Sequence, residues 1–192
     1  MKTQFFLISV FYLLLFSCSE DVLEKTIFIP DEKYPELPAY TEWGYNSFGA
    51  FYEKNIIIAT NEYNPCKIVY NKNGTLDFSL TGRYRGNKAT LTFLFPLSEE
   101  VKTINDLKIL HKKELDLTGN CIVKLDENTL EVSGGKLHFK RFQLLRIDEE
   151  VNRIILSGTF ELTFQKNGST ESITNGRFDM GITDRDFYSN AE

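Results

Sequence analysis

Arg153-Ile-Ile-Leu-Ser-Gly-Thr-Phe-Glu-Leu-Thr-Phe-Gln165, then Lys166-Asn-Gly-Ser169, then Thr170-Glu-Ser-Ile-Thr-Asn-Gly-Arg-Phe-Asp-Met-Gly-Ile182 decides the fold. Ile154, Leu156, Phe160, Leu162 and Phe164 fall on one parity and Ser157, Thr159, Glu161, Thr163 and Gln165 on the other, the period of a strand with one dry face. Asn167-Gly168 supplies a tight turn, because both residues tolerate positive φ. The stretch is therefore predicted to be a long antiparallel hairpin whose apolar face must be covered by the rest of the chain.

The same alternation recurs upstream. Asn55–Thr60, Cys66–Tyr70, Thr75–Thr81 and Ala89–Phe95 read as strands, with Asn71-Lys-Asn-Gly74 and Arg83–Asn87 as turns. Asn120–Leu125 and Gly135–Ile147 resume strand character, and a change of phase near Arg141 predicts a bulge. Asp148–Asn152 turns the chain into the long hairpin. Between Pro96 and Ile109 the pattern differs: Ser98 as N-cap and Val101, Ile104 and Leu107 at helical spacing predict a short helix or loop near 98–109. With 16 Phe and 9 Tyr against 2 Met, the expected fold is all-β, a single antiparallel sandwich or flattened barrel of about eight to ten strands. The expected organisation is an export segment over 1–17, an acidic Pro-containing tether over 18–40, the β domain over 41–182 and a frayed polar tail over 183–192. Within the tether, Ile27-Phe28-Ile29 is long enough to add one edge strand.

Lys2 followed by the apolar run Phe5–Phe16 is too short for a permanent membrane span, which takes about 20 residues, and reads as a signal peptide. Its end, Leu15-Phe16-Ser17-Cys18, resembles the lipobox of bacterial lipoproteins. That resemblance implies diacylglyceryl attachment to the Cys18 sulfur, cleavage before Cys18, and acylation, as by palmitate, of the new amine. Ser19-Glu20-Asp21 resembles the acidic signal that sends Bacteroidota lipoproteins to the outer face of the outer membrane; the alternative is a solvated linker.

At both ends of the mature chain the residues carry a wider resemblance. Pro38-Ala-Tyr-Thr41 with Gly44, Asn46, Phe48 and Gly49, and Ile155–Glu161 with Ile173-Thr-Asn-Gly-Arg-Phe-Asp179, resemble the opening and closing motifs of a family of uncharacterised Bacteroidota lipoproteins. The resemblance implies a compact β-fold held at the envelope and no activity, ligand or catalytic residue.

Chemistry is sparse. His111 and His138 stand far apart without Cys or carboxylates at zinc-ligand spacing, Asp184 and Asp186 match a calcium loop only faintly, and no nucleophile, phosphate-loop or dinucleotide fingerprint occurs, so neither metal nor cofactor is expected. A net charge of -5 of mixed sign speaks against nucleic acid. Trp43, Tyr45 and Tyr52 are candidates for a stacking platform for a sugar, or else cap the core. Cys66 and Cys121 either form a disulfide closing a loop of roughly 56 residues, worth about 4 kcal/mol, or remain separate thiols with Cys121 a small buried hydrophobe. Arg177 and Asp179 are expected to pair across the strands with Glu161 or Thr163. The function these features favour is a lipid-anchored, surface-exposed module of the outer membrane, non-catalytic, binding or structural. Its alternatives are an accessory glycan or small-ligand binder, a toxin-neutralising or inhibitor lipoprotein, and an enzyme with an unrecognised carboxylate pair.

Overall fold

The structure, a computed structural model, describes residues 25–147 and 150–190. The expected export segment over 1–17, Cys18 and Ser19-Glu20-Asp21 lie outside the described residues. The described residues are all-β and mostly antiparallel: one curled sheet forming a half-barrel, with one short 3₁₀ helix. Its strands are β1 (Ser47–Tyr52), β2 (Asn55–Ile58), β3 (Cys66–Tyr70), β4 (Thr75–Tyr84), β5 (Asn87–Pro96), β6 (Glu114–Asp116), β7 (Ile122–Leu125), β8 (Asn128–Thr129), β9 (Glu131–Ile147), β10 (Glu150–Lys166), β11 (Ser169–Ile182) and β12 (Phe187–Ser189). They run in the order β6-β9-β10-β11-β1-β2-β4-β5-β7-β8. The sheet forks at β4, whose start pairs with β3 and whose end pairs with β2.

The hairpin read from the sequence is β10–β11. Lys166 faces Ser169 across a two-residue turn in which Asn167 and Gly168 both have positive φ, 52° and 78°. Arg85-Gly86 makes an equivalent turn between β4 and β5, with φ of 49° and 82°. Such turns match the right-handed twist of the strands they join. The inward parity of β10 is dry, with Ile154, Leu156, Phe160, Leu162 and Phe164 all buried. The phase change in β9 is a bulge: Ser157 faces Arg141 and Gly158 faces Phe139, leaving Lys140 as the extra residue.

Ring contacts record the curl. Phe78 on β4 meets Phe139 on β9 at 5.2 Å and Phe178 on β11 at 5.0 Å, and Phe93 on β5 meets Phe160 on β10 at 5.5 Å, although none of these strands are neighbours. The concave side is therefore filled with aromatic side chains. The 3₁₀ helix, Ile104–Leu110, seals it with Ile104, Leu107 and Leu110. Its N-cap is Thr103, not Ser98: Asp106 accepts from the Thr103 backbone and hydroxyl, a capping box one turn later than expected.

Two boundaries move. The tail is not frayed, because β12 pairs in parallel with β3 and buries Phe187. Asp186 holds the turn before it, accepting from the Thr183 backbone and hydroxyl. At the other end, the reading of 18–40 as a free tether fails for its second half. Leu37 has no exposed surface, Pro30 bridges Pro38, and Tyr34 packs edge-on against Phe51 at 5.4 Å. Ile27–Ile29 adds no strand to the sheet; Ile27 N–H donates to the Tyr45 carbonyl and Ala39 N–H to that of Ile29, with all three side chains exposed. Residues 26–46 thus form a strap across the convex face of the sheet.

Candidate functional site

The strap lies where the convex face carries polar side chains turned toward it, and a bulge in β11 turns them. Phe160 faces Gly176 but Leu162 faces Ile173, so β11 has one residue too many around Thr174-Asn175, with Asn175 at φ 51°. Before the bulge Ile173 points into the core. After it Phe178, Met180 and Ile182 do, which sends Arg177 and Asp179 out toward the strap. Gly176 is required there by space: a Cβ on it would come 2.5 Å from the buried Phe160 ring.

Asp179, only 1 % exposed, is the centre of the junction. Its carboxylate accepts from Thr41 Oγ1 at 2.5 Å and from three backbone N–H groups, Trp43 at 3.0 Å, Gly44 at 2.7 Å and Tyr45 at 3.3 Å. A loop of successive amides around one carboxylate is an anion nest closed by a side chain of the same protein. Gly44, at φ 72°, lets the loop turn and sit against Ile155 and Gly181. Asn46, at φ 53°, accepts from Gly181 N–H at 2.9 Å and from Arg153, whose guanidinium also reaches the Gly44 carbonyl. Pro38 lies on Gly49, where a Cβ would meet its ring at 2.4 Å. The two motifs quoted from opposite ends of the chain are thus the two halves of one latch. The expected pairing of Arg177 and Asp179 with Glu161 or Thr163 is replaced by partners on the strap, because the bulge aims both side chains away from the neighbouring strand.

Arg177 donates to Asp31 at 2.5 Å and to the Pro38 carbonyl. Burial works against a charged Asp31, but N–H donation from Tyr34 and Lys33 and the Arg177 guanidinium outweigh it and hold its carboxyl below the usual range. A folded-state pKa below the unfolded value, about 3.9, gives stability that is present above that pH and lost as pH falls through the folded value. Asp31→Asn is accordingly expected to lower the melting temperature at neutral pH, by about 1 to 2 kcal/mol of stability, and to converge with the parent protein in acid. Thermal melts of both proteins across pH 2 to 7 check it, and parallel curves at all pH values would refute it.

Beside the latch, Tyr40 donates to Glu42 at 2.9 Å and contacts Ser157 Oγ at 3.2 Å, with Lys140 over its ring. Burial, reinforced by the Glu42 and Asp179 carboxylates against the opposing Ser157 hydrogen bond, pushes the phenol up to about 12, so it stays a donor. Tyr40 then forms one wall of a shallow depression of about 470 Å³ floored by β9, β10 and β11, lined by His138, Lys140, Glu161, Arg177 and the Glu114–Lys136 ion pair. Cations and carboxylates alternate over it, which gives a mixed polar surface with no single-sign field.

The residues singled out in the sequence do not assemble. Trp43 is 71 % exposed at the crest of the latch loop, Tyr45 is half-buried, and Tyr52 is buried on β1, where its phenol donates to Glu171 and accepts from Lys166. No three-ring platform forms, because Tyr52 belongs to the inward parity of its strand and packs on Tyr84 and Phe164. Cys66 and Cys121 are free thiols. They lie on β3 and next to β7, with β4 and β5 between, about 14 Å along the sheet, beyond disulfide reach. Burial pushes the Cys66 thiol well up and that of Cys121 to about 11. His111 accepts from the Phe142 N–H, while His138 borders the depression. Among the described residues no group of three or more His, Cys, Asp or Glu is placed to hold a metal, and no helix is long and apolar enough to cross a membrane.

Sequence reasoning missed the latch itself. Its signal was the outward phase of Asp179 beyond Asn175-Gly176, joined to the turn-forming Gly44-Tyr45-Asn46, but Tyr45 and Asp179 lie 134 residues apart. No family model, curated protein or solved structure matches this chain.

Proposed function

We propose that this protein is a lipoprotein of the bacterial outer membrane, held by lipid on Cys18 and displayed at the cell surface, where it serves as a binding or structural module rather than a catalyst. The observation that carries the reading is the latch. The lipobox-like Leu15–Cys18 stands just upstream of a strap whose root is fixed to the central strands β1, β10 and β11 by a buried carboxylate, a buried Asn and an ion pair. A domain tethered by its N-terminus transmits any pull on the tether into that root, and a root tied into the sheet resists it better than a frayed end. The filled concave side supports the rest: seven Phe side chains occupy the interior with under 2 % exposure each, so a partner meets the protein on its outside. This reading places the chain with the Bacteroidota lipoproteins it resembles.

Cys18→Ala tests it. The parent chain is expected to incorporate a palmitate analogue and to partition with membranes, and the variant to do neither. Protease added to intact cells is expected to degrade the parent protein. Mass spectrometry that found Cys18 unmodified in the mature product would remove the anchor, and protection from protease in intact cells would remove the surface display.

A further inference from the structure

Of the six large apolar residues exposed among the described residues, four, Ile27, Phe28, Ile29 and Trp43, belong to the strap. The hydrogen bond from Ile27 N–H to the Tyr45 carbonyl sets the first three beside the loop that carries Trp43. Single exposed apolar residues are ordinary, but a cluster of large ones marks a surface with a partner. The latch holds this one in shape: the Trp43 and Tyr45 amides are bound to Asp179 and the Ile29 carbonyl to Ala39.

The position of the patch names the partner. Ile27 follows Cys18 by nine positions, a span of about 30 Å at full extension. Along the chain, the strap is the part of the described domain joined most directly to Cys18. Trp at the rim with aliphatic and Phe side chains beside it is the composition that partitions into the headgroup and upper acyl layer of a bilayer.

We infer that Ile27, Phe28, Ile29 and Trp43 form a docking face for the bilayer in which the chain is anchored, so that the domain lies on the membrane with its strap down. The inference rests on the lipid anchor at Cys18 and adds an orientation to it.

Trp43 is the sole tryptophan, so its fluorescence reports on the patch alone. The full chain, expressed with its own leader and purified with whatever modification Cys18 carries, is reconstituted into phosphatidylethanolamine–phosphatidylglycerol vesicles with or without brominated acyl chains. Docking predicts quenching of Trp43 by the brominated lipid and protection from aqueous acrylamide. In the triple variant Ile27→Ser, Phe28→Ser, Ile29→Ser, whose substituted side chains are already exposed, the brominated-lipid quenching is expected to fall about threefold with lipid still on Cys18. Full acrylamide access together with no quenching by brominated lipid, in protein that mass spectrometry shows to be lipidated, overturns the docking face and leaves the anchor standing. An unmodified Cys18 overturns the anchor by itself. The same vesicles added to the free chain then decide the patch: quenching supports it and its absence overturns it. Protection of Trp43 by soluble oligosaccharide but not by vesicles assigns the patch to sugar and also overturns the inference.

Discussion

Asp179→Ala is expected to lower stability by about 3 to 5 kcal/mol, the range for deleting one partner from a buried, hydrogen-bonded charge. The substitution leaves the Thr41 hydroxyl and the amides of Trp43, Gly44 and Tyr45 without their acceptor, in a place water reaches poorly. In a domain of this size the loss corresponds to about 8 to 15 °C in melting temperature. Asp179→Asn does not restore it, since the amide offers one acceptor oxygen and points a donor at donors. Two measurements are needed. Thermal unfolding gives the magnitude, and limited proteolysis gives the place: cleavage is expected first within 26–46, while the half-barrel persists. A variant that melts within about 2 °C of the parent, or one first cut elsewhere, would mean that the carboxylate does not hold the strap.

Phe78→Ala is expected to cost a similar amount, about 3 to 5 kcal/mol, by a different route. Phe78 is fully buried and touches Phe93, Phe139 and Phe178, so its removal opens a void where the two limbs of the curled sheet meet. Rings fixed by several neighbours relax little, and the cavity adds its own penalty to the lost transfer energy. The whole domain is expected to unfold at lower denaturant with one cooperative transition, without the early cleavage of the strap predicted for Asp179→Ala. A cost under about 1 kcal/mol would mean that the sheet is less tightly closed than the ring contacts require. Comparing the two variants separates the latch from the core.

The antiparallel fold was legible because its signal is local. Alternation from Ile154 to Phe164, the Asn167-Gly168 turn and the phase slip at Lys140 each follow from residues within a few positions of one another. The helical segment was legible for the same reason, through Val101, Ile104 and Leu107, though its cap lay one turn on at Thr103. The strap was not. It is bound largely through backbone amides and one distant carboxylate, which leave no period in the sequence, and its charged and proline residues are those a solvated linker would also have. Leu37 and Pro38 were its buried apolar residues, too little to mark a packed segment by composition. The tail was missed similarly, since Phe187 is its one buried side chain and the rest of its attachment is backbone pairing with β3 and polar contacts. At the candidate site, exposure of Trp43 was open to guesswork, but the scattering of Trp43, Tyr45 and Tyr52 followed from strand parity and loop path, which only the assembled sheet defines.

Thr41 and Asp179 stand 138 positions apart in the chain. The beginning of the folded region can therefore be locked only by something near its end. During synthesis the leading segment emerges first and must wait, unsatisfied, until β11 has been made and has paired with β1. Premature termination anywhere before Asp179 leaves that segment loose for proteases, so the closing contact doubles as a check that synthesis ran to completion.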